Sequence, residues 1–403
     1  MAIKLTKRVS GIAESATLAI SAKAKQLKAE GKDIVNFGVG EPDFNTPDYI
    51  IEAAYTAMKD GRTKYTPASG ITELKKAVVE ETERATGLKY SPSQVVIGAG
   101  AKQPLYNAIA ATIEEGDEVV IPSPYWVTYP ELVKYCGGKC VFAETKPQNG
   151  YKMTAEELES VITDNTRALI LNSPNNPTGA VYTRKELEEI AVVLEKHKNI
   201  VIISDEIYRN LVYAGEKHIS IAVLSEEMKE RTIIIDGMSK SYAMTGWRLG
   251  WAIAPENVAK AMTRAQSHMT SNVNSITQYA SLTALTDREH SEKFISEMRE
   301  TFAERRILAI ETLQKAGVPF IKPNGAFYVL ADVSKSFGKK SPSGEIIGNS
   351  VDFADKLLTE SGVAVVPGIA FGANNHVRIS YALGSDSIKK GIEKLGEFLN
   401  NCK

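Results

Sequence analysis

The chain has little cysteine. Its three residues, Cys136, Cys140 and Cys402, are an odd and sparse set that fits a reducing compartment and no disulfide framework. Cys136 and Cys140 flank "GGK", but no histidine pair stands nearby to complete a zinc site. The five histidines show no metal-binding spacing either, and the two cysteines read as small, semi-buried residues. An excess of one charge is also missing. The formal net charge is -1, and no Lys/Arg run is dense enough for a nucleic-acid or membrane patch, so neither partner is expected. No apolar run approaches the roughly 18–20 residues a membrane span needs. The first residues, "MAIKLTKRVSGIAESATLAIS", are basic without a continuous apolar stretch, and do not read as a targeting peptide. The expectation is a soluble, cytoplasmic protein.

What is present is ordinary globular composition, 43% hydrophobic and 24% charged, over 403 residues. That is more chain than one core comfortably serves, so two domains are expected. "TLAISAKAKQLKAEG", from Thr17, predicts a helix ending at Gly31. A short strand, "DIVNFGVG", leads into the turn-rich "EPDFNTPDYI". From about residue 50 to 290, apolar strands alternate with amphipathic helices, the pattern of βαβ units and a largely parallel sheet. Six strands can be named: "QVVIG", "DEVVIP", "RALILN", "NIVIIS", "RTIIID" and "LGWAIA". Their unbroken apolar character predicts burial on both faces. A long helix is expected from about Asn272, then a charged one over "EKFISEMRETFAERRILAIETLQKAG". After Gly317, "GAFYVLADV", "GVAVVPG" and "HVRISYAL" read as strands of a smaller α+β domain, closed by the helix "SIKKGIEKLGEFLNN". The N-terminal helix and strand pack with this C-terminal part or reach a partner subunit; the sequence leaves both open.

Five of the six strands end in small, polar or aromatic residues: "AGAKQ", "SPYW", "SPNNPTG", "DEIY" and "GMSK". In an open α/β sheet, ligands sit outside the carboxyl ends of the strands, and five convergent loops predict one composite site. In "VVIGAGAKQPLYNAIAATI", Gly98 and Gly100 allow close backbone approach, and the helix start favours a phosphate. A tight turn packing helix on strand is the plain alternative. Asp205 ends an apolar strand, where a buried carboxylate needs a cationic or donor partner; an N-cap is the alternative. Tyr208 follows three residues later, and Tyr125 and Trp126 offer an aromatic plate. Lys240 lies among small residues at a strand end with Arg248 close behind. Burial and a second cation both push a lysine pKa down, which makes a nucleophile toward a carbonyl. Together these parts describe a pocket for pyridoxal 5′-phosphate (PLP). Lys240 would hold the aldehyde. Asp205 would keep the pyridine nitrogen protonated, Tyr208 would donate to the ring hydroxyl, and Trp126 would stack on the ring. Ser239, Arg248 and the backbone from Gly100 through Ala101 to Lys102 would bind the phosphate.

"GMSKSYAMTGWRLG" resembles the lysine-attachment signature of the class I/II PLP-dependent aminotransferases. "FGVGEPDFNTP", "KYTPASG", "NSPNNPTGAVY", "SDEIY" and "VRISYA" resemble that family's other motifs in the same order. The resemblance runs from about Val9 to the C-terminal helix and is nearest the bacterial and archaeal aspartate aminotransferase type, the one-gamma subgroup. It implies fold type I: a large domain with a mostly parallel seven-stranded sheet between helices, plus a smaller α+β domain. The corresponding division is 1–47 (arm and part of the small domain), 48–288 (PLP-binding) and 289–403 (small domain). It also implies a homodimer with shared sites, where Tyr65 reaches the phosphate of the neighbouring subunit's cofactor. Arg378 would clamp the substrate α-carboxylate, helped by Asn176 and the Gly40 backbone. Asn176 would also touch the ring hydroxyl, and the N-terminal segment would close over the substrate. In some relatives a serine three residues before the lysine binds phosphate; here that residue is Gly237, which leaves the contact to Ser239.

The expected reaction moves an amino group from an L-amino acid, foremost L-aspartate, to 2-oxoglutarate by a ping-pong route. Ser15, Thr17 and Lys102 match the residues that such relatives set against an acidic side chain. An aminotransferase for aromatic amino acids, alanine or prephenate is the alternative. A PLP-dependent C–S lyase of the same fold is a second class. A PLP-fold transcription regulator would need an added DNA-binding domain. A nicotinamide oxidoreductase using "GAGAK" would lack its third glycine and leave Lys240 unexplained.

Overall fold

The computed structural model describes residues 3–14 and 16–403. Strand β1 (Val35–Asn36) precedes β2 (Val95–Gly98), β3 (Glu118–Ser123), β4 (Lys139–Glu144), β5 (Thr166–Asn172), β6 (Val201–Asp205), β7 (Thr232–Gly237) and β8 (Gly250–Ile253). Four short strands follow: β9 (Tyr328–Asp332), β10 (Val363–Ala364), β11 (Val366–Pro367) and β12 (His376–Ser380). Strands β2 to β8 form one seven-stranded sheet in the order β2-β8-β7-β6-β5-β3-β4. Only β8 opposes its neighbours, pairing antiparallel with β2 and β7; the other pairs are parallel. The α/β architecture is the one expected. The six strands read from sequence are all present, each within a residue or two of its expected bounds. The seventh, β4, was not among them. It is the sheet edge, and only Ala143 in "KCVFAE" is buried. An edge strand lacks the unbroken apolar run that reveals an inner one.

The two helices expected after Asn272 are present as Ser275–Thr286 and Arg288–Lys315. Asp287 separates them, and its carboxylate accepts from the His290 N–H as an N-cap. Beyond them β11, β12 and β9 make a three-stranded antiparallel sheet. Strand β1 joins β10 in parallel, Val35 opposite Val363, so within this chain the N-terminal strand packs with the C-terminal part. The helix Ala16–Ala29, just before β1, packs there too, seating Ala24 against Leu358 and Ala364. No helix of the described residues is long and apolar enough to cross a membrane. The same residues hold no cluster of metal-ligating side chains.

Three loops converge where β2 and β7 end and β8 begins. A Cβ on Gly250 would stand 2.4 Å from the Ala101 nitrogen, and one on Gly237 would stand 2.7 Å from the Gly250 Cα. Only glycine fits either position. The serine that some relatives carry three residues before the lysine has no room here.

Candidate active site

A cavity of about 1170 Å³ opens at this edge, between the large sheet and the three-stranded sheet. Lys240, Asp205, Tyr208, Ser239, Arg248, Ala101, Lys102, Trp126, Asn176, Arg378, Gly40 and Thr17 all line it. Ser15 lies outside the described residues. Tyr65 is absent from the lining and is 92% exposed.

Lys240 sits on the single turn Met238–Ser241 after β7. Its ammonium donates to the Gly40 carbonyl at 2.5 Å and lies 5.9 and 5.8 Å from the ring centres of Tyr208 and Phe327. Burial lowers its pKa to about 8, with Arg378 and Arg248 adding to the shift against Glu41. A lysine in this range is still mostly ammonium at pH 7 but gives up its proton far more readily than a solvated lysine.

Asp205 is buried at the end of β6. It caps no helix. One carboxylate oxygen accepts from the Tyr129 hydroxyl at 2.7 Å and the other from the Ile207 N–H at 3.3 Å. No described cation bonds to it. Burial pushes its pKa up to about 6 even against these two donors. Tyr129 belongs to "YWVTYP", three residues after Trp126, and its helical spacing was the one available signal. Trp126 meets it edge-on at 5.4 Å. Tyr125 does not share the plate; it stacks on Phe142 at 4.9 Å.

In the phosphate loop the two glycines separate. A Cβ on Gly98 would strike the Pro104 ring, so Gly98 serves packing rather than ligand approach. Gly100 has φ +68°, and a Cβ there would fall 2.5 Å from Arg248 Nη2. The missing side chain makes the space in which Arg248 lies against the loop backbone. Arg248 itself adopts φ +56°, a left-handed conformation that costs a non-glycine residue about 1 kcal/mol. It is held by donation to the carbonyls of Thr245 (2.9 Å) and Ala99 (3.3 Å). Lys102 follows, with its ammonium 4.8 Å from the Trp126 ring centre. Loss of water, and then Arg248, lower its pKa.

On the opposite wall Arg378 projects from β12 at 2% exposure. Its Nη1 donates to Asn176 Oδ1 at 3.0 Å and its Nη2 to the Gly38 carbonyl at 3.1 Å. Its plane stacks 4.4 Å from the Tyr328 ring centre. Its Nε is buried with no partner, a donor that a carboxylate would satisfy. Asn176 is tied in turn: its N–H donates to Asn172 Oδ1, and Asn172 Nδ2 donates to the Asp205 carbonyl, both at 2.9 Å. A hydrogen-bonded path therefore runs from the clamp to the Asp205 backbone. The Tyr208 hydroxyl lies 2.9 Å from that of Tyr328. Tyr129, Tyr328 and Asn172 were not found from sequence, because tertiary contact alone brings them to the site.

These residues fit a phosphorylated pyridine aldehyde. The Gly100–Arg248 cradle accepts a dianion. Asp205, buried without a cation, calls for a protonated ring nitrogen, and Lys240 is an amine of lowered basicity between them. A site built this way defines a PLP-dependent enzyme. Comparison with known proteins fixes which kind. Residues 32–395 match the aminotransferase class I and II family. An aspartate aminotransferase of Bacillus sp. strain YM-2 is 47% identical, over 98% of this chain and 99% of its own. A protein of Rhizobium leguminosarum called a probable aspartate/prephenate aminotransferase is 43% identical over 99% of both. The solved aspartate aminotransferase of Rhizobium meliloti is 40% identical, covers both chains completely and superposes with a TM-score of 0.95. The chain belongs to the class I and II aminotransferases and uses pyridoxal phosphate as its cofactor.

Proposed function

We propose that the chain transfers the amino group of L-aspartate to 2-oxoglutarate, giving oxaloacetate and L-glutamate in a ping-pong cycle. The observation that carries this reading is the distribution of cations in one cavity. Arg378 offers an unpartnered buried donor to an α-carboxylate, and Lys102, which lines the same cavity as Thr17, offers a second cation to a side-chain carboxylate. Bound PLP acts as an electron sink that acidifies the substrate Cα–H. The chain's residues do the rest. Lys240 would hold the cofactor and, as a buried amine of lowered basicity, would take up the substrate Cα proton as general base. Asp205 keeps the ring nitrogen charged. Tyr208 and Asn176 would hold the ring oxygen, Trp126 would face the ring, and Ser239, Arg248 and the Gly100–Lys102 backbone would hold the phosphate. Arg378, with Asn176 and Gly40, orients the substrate so that its Cα–H faces Lys240.

The same proposal includes a homodimer. The helix Asp48–Lys59 leaves Ile51, Tyr55 and Met58 exposed at helical spacing, a stripe that a second copy would cover. Tyr65 would then reach the partner's phosphate. The division at 1–47, 48–288 and 289–403 is supported by the distinct apolar cores around the two sheets. A cytoplasmic setting is supported by three free cysteines.

A second reading adds prephenate, another dicarboxylate. The name of the Rhizobium leguminosarum relative favours it, and the cavity is large enough for prephenate, a 2-oxo acid that would take the place of 2-oxoglutarate as amino acceptor. An amino-donor screen with 2-oxoglutarate, run on wild type and Lys102→Ala, tests the first reading, and aspartate with prephenate in place of 2-oxoglutarate tests the second. Lys102→Ala should lose about tenfold or more in kcat/KM for aspartate while an apolar donor changes little. Equal losses for the two donors would remove Lys102 from the specificity site.

A further inference from the structure

Tyr328 opens β9 and is buried at 1% exposure. Register puts Ser380 opposite Tyr328 and Leu330 opposite Arg378, which makes Tyr328 and Arg378 diagonal neighbours on one face of the sheet. That is why the Arg378 guanidinium lies 4.4 Å from the Tyr328 ring centre, a cation–π contact out of water. The far end of the same side chain meets the Tyr208 hydroxyl at 2.9 Å. One residue thus touches the carboxylate clamp with its face and the cofactor-side phenol with its oxygen.

Either hydroxyl can be the donor in that bond, and the choice matters. A phenol has one proton. If Tyr208 gives its proton to Tyr328, none is left to point into the cavity. If Tyr328 donates, the Tyr208 proton is free. The cation on the Tyr328 face decides. Arg378 stabilises negative charge on the Tyr328 oxygen and so favours Tyr328 as donor; it is the first influence opposing the rise that burial gives the Tyr328 pKa. For Tyr208, burial and then the neighbouring Tyr328 raise the pKa, and Arg378, whose guanidinium lies against the Tyr328 ring, opposes them only after these two. Tyr208 therefore keeps its proton.

We propose that Tyr328 is a positioning residue. By donating to Tyr208 it aims the Tyr208 proton into the cavity, and by its ring it fixes the plane of Arg378. The proposal rests on Tyr208 facing the cofactor's ring oxygen, as read above.

The test uses the PLP-loaded protein, its absorbance titrated against pH, and the binding of maleate, a dicarboxylate without an amino group. Tyr328→Phe keeps the ring and loses the hydroxyl. A weaker Tyr208 donor stabilises less negative charge on the ring oxygen, so the loaded site keeps a proton to higher pH. The absorbance midpoint should rise by about half a pH unit or more, with the maleate Kd within about twofold of wild type. Tyr328→Leu loses both parts and should weaken maleate about tenfold or more. Tyr208→Phe serves as the second arm: adding Tyr328→Phe to it should leave the midpoint where Tyr208→Phe alone puts it. The proposal is overturned if Tyr328→Phe titrates with the wild type. It is equally overturned if its increment adds in full to Tyr208→Phe, or if the Tyr328 variants lower the melting temperature and move neither readout. A wild type that develops no PLP-dependent absorbance would instead sink the cofactor reading, and this proposal with it.

Discussion

Two walls of one cavity each deliver a cation, and they do so in opposite ways. Lys240 comes from the large sheet on a single helical turn. One hydrogen bond to the Gly40 carbonyl holds it, and burial leaves it with a pKa of about 8. Arg378 comes from the middle of the three-stranded sheet. Two hydrogen bonds and two aromatic faces, Tyr328 at 4.4 Å and Phe371 at 5.2 Å, hold it, and it stays charged. The first is a reagent: weakly tethered, able to lose its proton and to swing. The second is an anchor: charged at every working pH and unable to swing. The choice of residue type follows from the job, since a guanidinium makes a poor base and a flexible ammonium makes a poor fork.

Substitution should separate the walls. Lys240→Ala removes the reagent and should cut kcat by about 10⁴-fold or more. It should not lower the melting temperature of the PLP-free protein, because it relieves a buried amine. A loss in kcat below about tenfold would mean that another group moves the proton. Arg378→Lys keeps the charge and loses the fork. It should cost about 10²-fold in kcat/KM, carried mainly by KM, and should also destabilise the fold by leaving Asn176 Oδ1 and the Gly38 carbonyl without donors. A change confined to kcat would contradict the anchor role.

Asp205 sharpens the contrast on the Lys240 wall. Burial raises its pKa from 3.8 to about 6. The folded chain therefore holds a proton that the unfolded chain has already released between about pH 4 and pH 6. Stability of the PLP-free protein falls as pH rises through that window. Asp205→Asn should remove this slope and stabilise the PLP-free protein at pH 7 by on the order of 1–3 kcal/mol, while turnover collapses. Thermal melts from pH 4 to 8 check the sign; a variant less stable than wild type at pH 7 would refute it. The smallest effect concerns uptake of PLP by the wild type. Its rate should climb as pH rises through about 8, where the Lys240 ammonium loses its proton. A rate flat from pH 6 to 9 would place the amine's pKa elsewhere.

Much of the Lys240 wall was legible in the sequence. Inner parallel strands are continuous apolar runs, and a polar loop at the carboxyl end of each shows where they converge. Asp205, Lys240 and Arg248 stood out because charged groups beside such runs need a reason. The Arg378 wall was legible only by resemblance. Arg378 sits in a short strand, and nothing local says that it stacks on a tyrosine two positions away across a ladder. The partners of the charged groups, Tyr129 and Tyr328, escaped for the same cause: a buried tyrosine in a strand or helix reads as core until its hydroxyl's neighbour is known. The edge strand β4 escaped because half its residues face water.

The junction at Gly237, Gly250 and Ala101 extends the contrast to inheritance. Three loops are pressed together where side chains have been given up, so the phosphate-binding turn, the lysine turn and the start of β8 form one mechanical part. Genetic change can tune the Arg378 wall piecemeal, one contact at a time. It cannot do so at the junction, where adding a single methyl group displaces all three loops at once. Positions that carry no reactive atom would then be as intolerant of mutation as Lys240 itself.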